Sequence, residues 1–253
     1  MIKLRGTPLV SVVMPVFNEV ATIERIVDRV LTVPLPKELI IVDDGSTDGT
    51  RAWLKKRFNS QPVVAQSERV ALFSLGLQGS QVKVLFQSTN MGKGAALRRG
   101  FGEAKGDFIL IQDADLEYDP QDYPRILEPI LAGQAEVVYG SRFLGQRRAS
   151  RPLFGHLGNK VVTLLVNAMT GLPLTDVWTG YKAFHRKVLD GMVLQESGFE
   201  LEIELTAKIA QRNWRICEVP ISYDPRTKAQ GKKIRWLDGV KALLCAIKYR
   251  RHR

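Results

Sequence analysis

The chain has 253 residues, 45% hydrophobic and 25% charged, which excludes a disordered or collagen-like chain and suffices for one large domain or two small ones. Thirty-seven basic against 26 acidic residues give a net charge of +11, so an anionic partner is expected. Two cysteines, Cys217 and Cys245, are too few for a disulfide framework and fit a reducing compartment.

The opening MIKLRGTPLVSVVMP is basic and then apolar, but no small-residue cleavage site follows, and it reads as a strand rather than a signal peptide. Beta-branched apolar runs over Val10–Phe17, Glu38–Asp44, Val82–Gln87, Asp107–Asp115 and Ala135–Ser141 alternate with helix-length amphipathic segments over Ala21–Leu31, Gly49–Phe58, Gly92–Ala104 and Pro120–Leu131. This alternation predicts an α/β fold, a mostly parallel central sheet with helices on both faces. Ligands of such sheets bind outside the carboxyl ends of the strands, so the polar segments after the Val10, Glu38 and Asp107 strands are expected to line one crevice. Asn59–Gln81 reads as a surface loop. Past Gly145 the pattern predicts a helix over Leu153–Met169, a turn at Gly171–Pro173, a strand in TGYKAFHR, a helix over Glu200–Gln211, a strand in RICEVPISY and a helix from Trp236. The longest uncharged stretch, Val161–Thr175, contains Asn167, Gly171 and Pro173 and falls short of the roughly 18 apolar residues of a spanning helix.

The positive charge is concentrated. Arg226–Arg253 holds ten Lys or Arg against Asp238, which is +9 of the +11. Val137–Thr175 adds Arg142, Arg147, Arg148, Arg151 and Lys160 without an acid. Two separate segments are therefore expected to face something negative.

DAD at Asp113–Asp115 follows the strand DFILIQ directly. Two carboxylates at a strand end can present oxygens to a hard divalent cation that neutralises a diphosphate leaving group; alone, the pair is equally a solvated turn. Context adds VDDGSTDG at Val42–Gly49 and PVFNE at Pro15–Glu19, both after strands of the same sheet. A carboxylate-lined crevice suits a metal-bridged nucleoside diphosphate with hydrogen bonds to base and ribose. NMGKGAALRRG opens a helix, where Lys93 and the glycines either approach a phosphate or simply make a tight turn with close helix packing. Neither a GxxxxGK[ST] string nor a GxGxxG after the first strand is present.

The ordered series SVVMPVFNE, IIVDDGSTDGT, NMGKGAALRRG, DADLE, VVYGSRF, TGYKAF and EVPISY, with Arg226 and Lys232 beyond it, resembles the family-two glycosyltransferases of GT-A fold, of the dolichol- or polyprenyl-phosphate mannose (or glucose) synthase type. The resemblance runs from Ser11 to about Lys233 and implies a single catalytic domain over 1–235, with 236–253 as a basic amphipathic helix. It implies that Pro15, Phe17, Glu19 and Asp44 hold the nucleotide, with Asp44 near the base. Asp113 would touch the ribose, and Asp115 and Glu117 would coordinate Mg²⁺ or Mn²⁺, although the family often carries Gln at the Glu117 position. Arg142, Lys182, Arg226 and Lys232 match places where relatives hold the donor's diphosphate and a lipid phosphate, as guanidinium and ammonium groups do; either Lys232 or Lys233 makes the last contact. A solvated basic face is the plainer alternative.

Glu200, Glu202 and Glu204 lie at a helix start, where acids complement the dipole. Glu202 is also the candidate general base for a hydroxyl acceptor. An ionised phosphate acceptor needs orientation and charge stabilisation more than a base. His156, His185 and His252 have no ligand spacing, and both cysteines read as packing residues. Trp236, Leu237, Val240, Leu243, Leu244 and Ile247 form a helical stripe beside Lys241, Lys248 and the terminal arginines, which suits a membrane interface or a helix packed on the domain.

The expected activity is metal-dependent, inverting transfer of a hexose from a nucleotide sugar (GDP-mannose or UDP-glucose) to a polyprenyl or dolichyl phosphate, by a cytoplasmic protein peripheral on an anionic membrane face. The alternatives are a family-two enzyme with a hydroxyl acceptor, a nucleic-acid-binding module and a non-catalytic membrane subunit. An acidic crevice and the absence of basic-aromatic interleaving argue against nucleic acid. An intact DADLE argues against a non-catalytic role.

Overall fold

The computed structural model describes residues 9–58, 70–74, 81–144, 153–226 and 236–250. It forms two compact units that meet in the chain between Leu116 and Glu117. The first contains β1 (Val10–Val16), α1 (Ile23–Thr32), β2 (Lys37–Asp43), α2 (Thr50–Arg57), β3 (Val70–Ser74), β4 (Gln81–Phe86), α3 (Lys93–Glu103) and β5 (Phe108–Ile111). The second contains a short 3-10 turn (Pro120–Asp122), α4 (Tyr123–Leu131), β6 (Val137–Ser141), α5 (Leu153–Thr170), β7 (Lys182–His185), a second 3-10 turn (Arg186–Leu189), α6 (Leu201–Gln211), β8 (Ile216–Pro220) and α7 (Trp236–Lys248).

In the first unit the strand order is β3-β4-β2-β1-β5. β4, β2, β1 and β5 are parallel, and β3 runs antiparallel on the edge. β1 and β2 are buried over nearly their whole length, which explains their unbroken apolar runs: a parallel strand covered on both faces has no polar side to alternate with. α1 buries Ile23, Ile26, Val27 and Val30, a stripe at helical spacing. Its carboxyl end is closed by Lys37, whose Nζ donates to the carbonyls of Leu31 and Val33 at 3.2 and 2.7 Å; burial lowers the pKa of this amine. α3 packs on β1 and β2 through Gly94, Ala95, Ala96, Leu97 and Gly100. The chain steps outward from β1 through β2 to β4, then returns across to β5, so the direction of winding reverses between β1 and β5. Pairing of these two strands ends at Val13 and Ile111, while β1 stays paired to β2 as far as Val16. The two strands thus part at their carboxyl ends, at the topological switch point where ligands of such sheets bind.

In the second unit β6 lies between β7, antiparallel to it, and β8, parallel to it. α4 packs on these strands, and α5, α6 and α7 pack on one another. α7 is therefore an integral helix of this unit and not an appendage. It buries its small face, Ala242, Cys245 and Ala246, and turns Val240, Leu244 and Ile247 outward. These last three belong to the apolar stripe that suited either a membrane interface or packing on the domain, and they lie on the solvent side of the helix.

The stretch expected as a loop over Asn59–Gln81 supplies β3, paired from Val70↔Leu85 to Ser74↔Gln81. A short VALFS run between Ser- and Gln-rich flanks carries little local signal, and only the open edge of β4 makes it a strand.

Two glycines of α3 separate packing from propensity. A Cβ on Gly100 would stand 2.3 Å from Val13 Cγ1, whereas one on Gly102 meets nothing within 4 Å. Gly100→Ala is expected to cost about 1–3 kcal/mol of overpacking, less about 1 kcal/mol of helix propensity, and so to lower Tm by several degrees; Gly102→Ala raises it by about 2–4 °C. Thermal unfolding followed by circular dichroism checks the pair, and equal shifts of the two variants would contradict this packing.

Candidate active site

The strand ends of the first unit carry its acidic residues. Asp44 follows β2 and is only 2% exposed. Its Oδ1 accepts from Gln87 Nε2 at 2.5 Å and from the Met91 amide at 2.7 Å, and its Oδ2 accepts from the Gly92 amide at 2.8 Å. Burial raises its pKa, and the charge of Asp43 adds to this; the three hydrogen bonds oppose it. Of the two readings of this loop, a phosphate site or a tight turn, the amides just before α3 serve a turn closed on a carboxylate of the protein itself, which suits a helix amino terminus. Gly45, at φ +76°, makes this approach possible: a Cβ there would stand 2.6 Å from the Asn90 nitrogen. Asp43, fully buried, pairs with Arg51 Nε at 2.5 Å, and Arg51 Nη2 also donates to the Gln87 carbonyl. The loops after β2 and β4 are therefore one hydrogen-bonded body.

Pro15, the next-to-last residue of β1, and Phe17, just after the strand, are half-buried, and Glu19 is buried. Asn18, at φ 50°, ties this loop to the next: its amide donates to Ser46 Oγ at 2.9 Å and its Oδ1 accepts from the Thr47 amide at 2.8 Å. The Glu19 carbonyl accepts from the amides of Thr22 and Ile23 and so opens α1, while its carboxylate accepts from Thr22 Oγ1 at 2.9 Å.

After β5, Asp113 and Asp115 are half-buried. Both oxygens of Asp113 lie on Lys93 Nζ, at 2.8 and 3.0 Å. Lys93 at the start of α3 thus takes the charge of the first carboxylate of the pair. Leu116 follows at φ 65°, a left-handed conformation that costs a branched side chain about 1–2 kcal/mol and turns the chain sharply after Asp115. Among the described residues no three His, Cys, Asp or Glu side chains form a metal cage by themselves. A half-buried aspartate at a strand end does fit Mg²⁺ or Mn²⁺, because such ions are held by one or two carboxylates with water and substrate phosphates completing the shell.

In the second unit Glu117 is held by the segment after β8. Its Oε2 accepts from Tyr223 Oη at 2.8 Å, and its Oε1 accepts from the Arg226 amide at 3.0 Å with Arg226 Nε 3.7 Å away. The Glu117 carbonyl accepts from the Asp224 amide, and Tyr118 and Tyr223 form an antiparallel bridge. Tyr118 also stacks on Tyr181, ring centroids 4.6 Å apart, and its hydroxyl accepts from the Gly180 amide.

Arg142 grips Asp176 by two parallel hydrogen bonds, Nε to Oδ2 at 2.7 Å and Nη2 to Oδ1 at 2.8 Å, with the Arg142 amide and Asn159 Nδ2 adding two more. Burial opposes both charges, but the pairing prevails: the Asp176 carboxyl lies below its usual range and the guanidinium above. Glu218 accepts from the amides of Thr175 and Asp176 and sets that turn. The Tyr223 ring lies 5.1 Å from the Arg142 guanidinium. Lys182 and Glu202, 0% and 2% exposed, form a closed pair at 2.6 Å, with Lys182 Nζ also donating to the Thr179 carbonyl.

The strand-end residues expected to hold a nucleotide (Pro15, Phe17, Glu19, Asp44, Asp113) are all at strand ends of the first unit, together with Asp115. Arg142 and Lys182, expected at phosphates, are buried against carboxylates, and Glu202 faces Lys182. Lys232 lies outside the described residues. Asp176, Glu218 and Tyr223 were not anticipated: nothing in the sequence around Arg142 names the carboxylate that a buried arginine needs. Cys245 is a packing residue, its thiol pushed up by burial to about 12.

Residues 11–192 match the family model for glycosyl transferase family 2. Undecaprenyl-phosphate mannosyltransferase of Micrococcus luteus is 28% identical over 230 residues, 88% of this chain and 86% of that protein. Dolichol-phosphate mannosyltransferase of Pyrococcus furiosus is 28% identical over 88% of this chain and 58% of its own length. The hexosyltransferase Agl6 of Haloferax volcanii is 27% identical over 87% and 48%, so the chain spans about half the length of that relative. Among solved structures, glucosyl-3-phosphoglycerate synthase from Mycobacterium tuberculosis, in complex with Mn²⁺, UDP and glucosyl-3-phosphoglycerate, superposes with a TM-score of 0.68 at 21% identity, covering 96% of this chain and 80% of that one; the same enzyme has been crystallised with Mg²⁺ and UDP. The fold is thus the expected GT-A type of α/β fold, and the chain belongs to glycosyl transferase family 2.

Proposed function

We propose that this chain transfers a hexose from a nucleoside-diphosphate sugar, GDP-mannose or UDP-glucose, to a polyprenyl phosphate, with a divalent cation and with inversion at the anomeric carbon. The observation that carries the reading is the DAD pair at the end of β5, beside the switch point, with Asp113 charge-matched by Lys93. The acceptor class is supported by the relatives named for undecaprenyl and dolichol phosphate, and the metal by the neighbouring structures crystallised with Mn²⁺ or Mg²⁺ and UDP.

In this reading Pro15, Phe17, Glu19 and the loops fastened by Asp44 cradle the nucleotide, Asp113 meets the ribose, and Asp115 holds the cation. Bound there, the cation neutralises the charge that develops on the leaving diphosphate. Arg226 and Lys232 receive the lipid phosphate, whose oxygen attacks the anomeric carbon as the bond to the diphosphate breaks. Arg142 and Lys182 act as buried supports, through Asp176 and Glu202. The closed Lys182–Glu202 pair favours a phosphate over a hydroxyl acceptor: an ionised phosphate needs no general base, and Glu202, engaged by Lys182, is poorly placed to be one.

The second unit also supports peripheral membrane attachment. Leu164 and Val161 of α5 are 70% and 46% exposed, and Leu244 and Ile247 of α7 are 62% and 50% exposed, with Lys160 and Lys241 also at the surface. No helix among the described residues is long and apolar enough to cross a membrane.

Asp115→Asn is expected to lower kcat by about 10³-fold, the value of several kcal/mol of leaving-group stabilisation, without changing the melting temperature. Near-wild-type turnover with unaltered metal dependence would remove Asp115 from the site. Arg226→Ala with Lys232→Ala should raise the KM for polyprenyl phosphate by about 10–100-fold, the worth of charge-assisted hydrogen bonds, and affect slow donor hydrolysis far less; equal loss of both reactions would assign these residues to the donor. Leu164→Glu with Leu244→Glu should release the protein from anionic vesicles in sedimentation assays, since each buried leucine contributes about 1.5–3 kcal/mol and each near-surface lysine about 1 kcal/mol. Vesicle binding indifferent to both substitutions and to salt would place the contact elsewhere.

A further inference from the structure

The family resemblance puts Glu117 in the metal shell, yet its carboxylate already has partners of its own. Oε1 receives the Arg226 amide and faces the Arg226 guanidinium, and Oε2 receives the Tyr223 hydroxyl. The geometry points to Glu117 as a positioning residue that fixes the segment carrying Arg226, while the divalent cation is held without it.

Three observations converge on this assignment. The charge of Glu117 is matched by Arg226, with both side chains largely buried, at 12% and 14% exposed. A divalent cation at the 2.0–2.6 Å typical of carboxylate ligation would stand beside that guanidinium and be repelled by it. The resemblance pairs Asp115 with Glu117 as ligands, and residues two apart share a face only in an extended chain; Leu116 in the left-handed region, φ 65°, breaks that alternation. Finally, the contacts of Glu117 form a set rather than a single bond: its carbonyl also takes the Asp224 amide, and residues 118 and 223 bridge. Tyr223, held by this carboxylate, lies against the Arg142 guanidinium at 5.1 Å, so one side chain registers two cations of the second unit.

That Arg226 meets a lipid phosphate rests on the function proposed above; that Glu117 sets Arg226 and leaves the metal alone does not. The test compares Glu117→Gln, which keeps an acceptor oxygen but loses the charge, with Glu117→Ala and with Asp115→Asn, in the full chain. Mn²⁺ is titrated in the presence of UDP and, in a parallel series, GDP; amide exchange is followed at Asp224 and Arg226. Both Glu117 variants are expected to bind Mn²⁺ within about tenfold of the native chain, the range of an outer-shell change, and Asp115→Asn to weaken it beyond that. Glu117→Ala should speed exchange of the Arg226 amide by about tenfold or more, the loss of one net hydrogen bond to a charged group. It should also raise the KM for polyprenyl phosphate at constant kcat, and Glu117→Gln should restore part of that loss. Mn²⁺ affinity lost by more than about tenfold in Glu117→Gln, or Arg226 exchange unchanged in Glu117→Ala, overturns the assignment. If the native chain transfers no sugar to polyprenyl phosphate, the proposed acceptor fails while the metal and exchange measurements still decide the role of Glu117.

Discussion

The buried carboxylate of Asp44 is the constraint on which the strand-end loops of the first unit depend. A charge almost out of water at the end of β2 is stable only when its lone pairs are filled, and it fills them with Gln87 and the two amides just before α3, those of Met91 and Gly92. That choice fixes the β4–α3 loop, sets where α3 begins and so where Lys93 stands, and Lys93 in turn holds Asp113. Asp43, Arg51 and the Gln87 carbonyl tie in the same loop from the other side. The strand-end loops owe their arrangement to electrostatic satisfaction more than to apolar packing.

The same logic recurs in the second unit. Arg142 with Asp176, Lys182 with Glu202, and Lys208 with Glu204 at 2.5 Å are carboxylate–cation pairs with little or no exposure of the acid. Removing one partner of such a pair costs about 3–5 kcal/mol because the other is left buried and uncompensated. Substituting Arg142, Lys182 or Glu202 would therefore reduce activity through the fold, and loss of activity alone cannot make any of them a substrate contact. In a chain with a net charge of +11, these matched pairs mean that the excess cations lie in other places, in keeping with the basic run after Arg226.

Much of the fold was legible in the sequence because parallel strands covered on both faces leave long apolar runs: β1, β2, β4 and β6 fall within a few residues of expectation. That the candidate residues lie at neighbouring strand ends was legible for a related reason, since strand order brings the ends of β1, β2 and β5 together whatever their side chains do. Pairing was not legible. Nothing in GSRF announces Asp176, thirty-four residues on, and nothing in TGYKAF announces Glu202. β3 was missed because its strand character comes from the edge of β4. α7 was legible as a helix, but which of its stripes is covered was not, because small residues pack closely and periodicity alone does not choose between two stripes.

If the acid groups at the end of β5 serve metal-assisted transfer to a lipid phosphate, the reaction itself will show it. Incubating the protein with GDP-mannose or UDP-glucose, a short polyprenyl phosphate and Mn²⁺, and following products by mass spectrometry, tests it most directly. The account predicts a polyprenyl-phosphohexose that forms with one of these donors, disappears when the metal is chelated and returns when Mn²⁺ is restored. Transfer that proceeds undiminished in chelator, or that occurs to hydroxyl-bearing acceptors while polyprenyl phosphate is ignored, would contradict it.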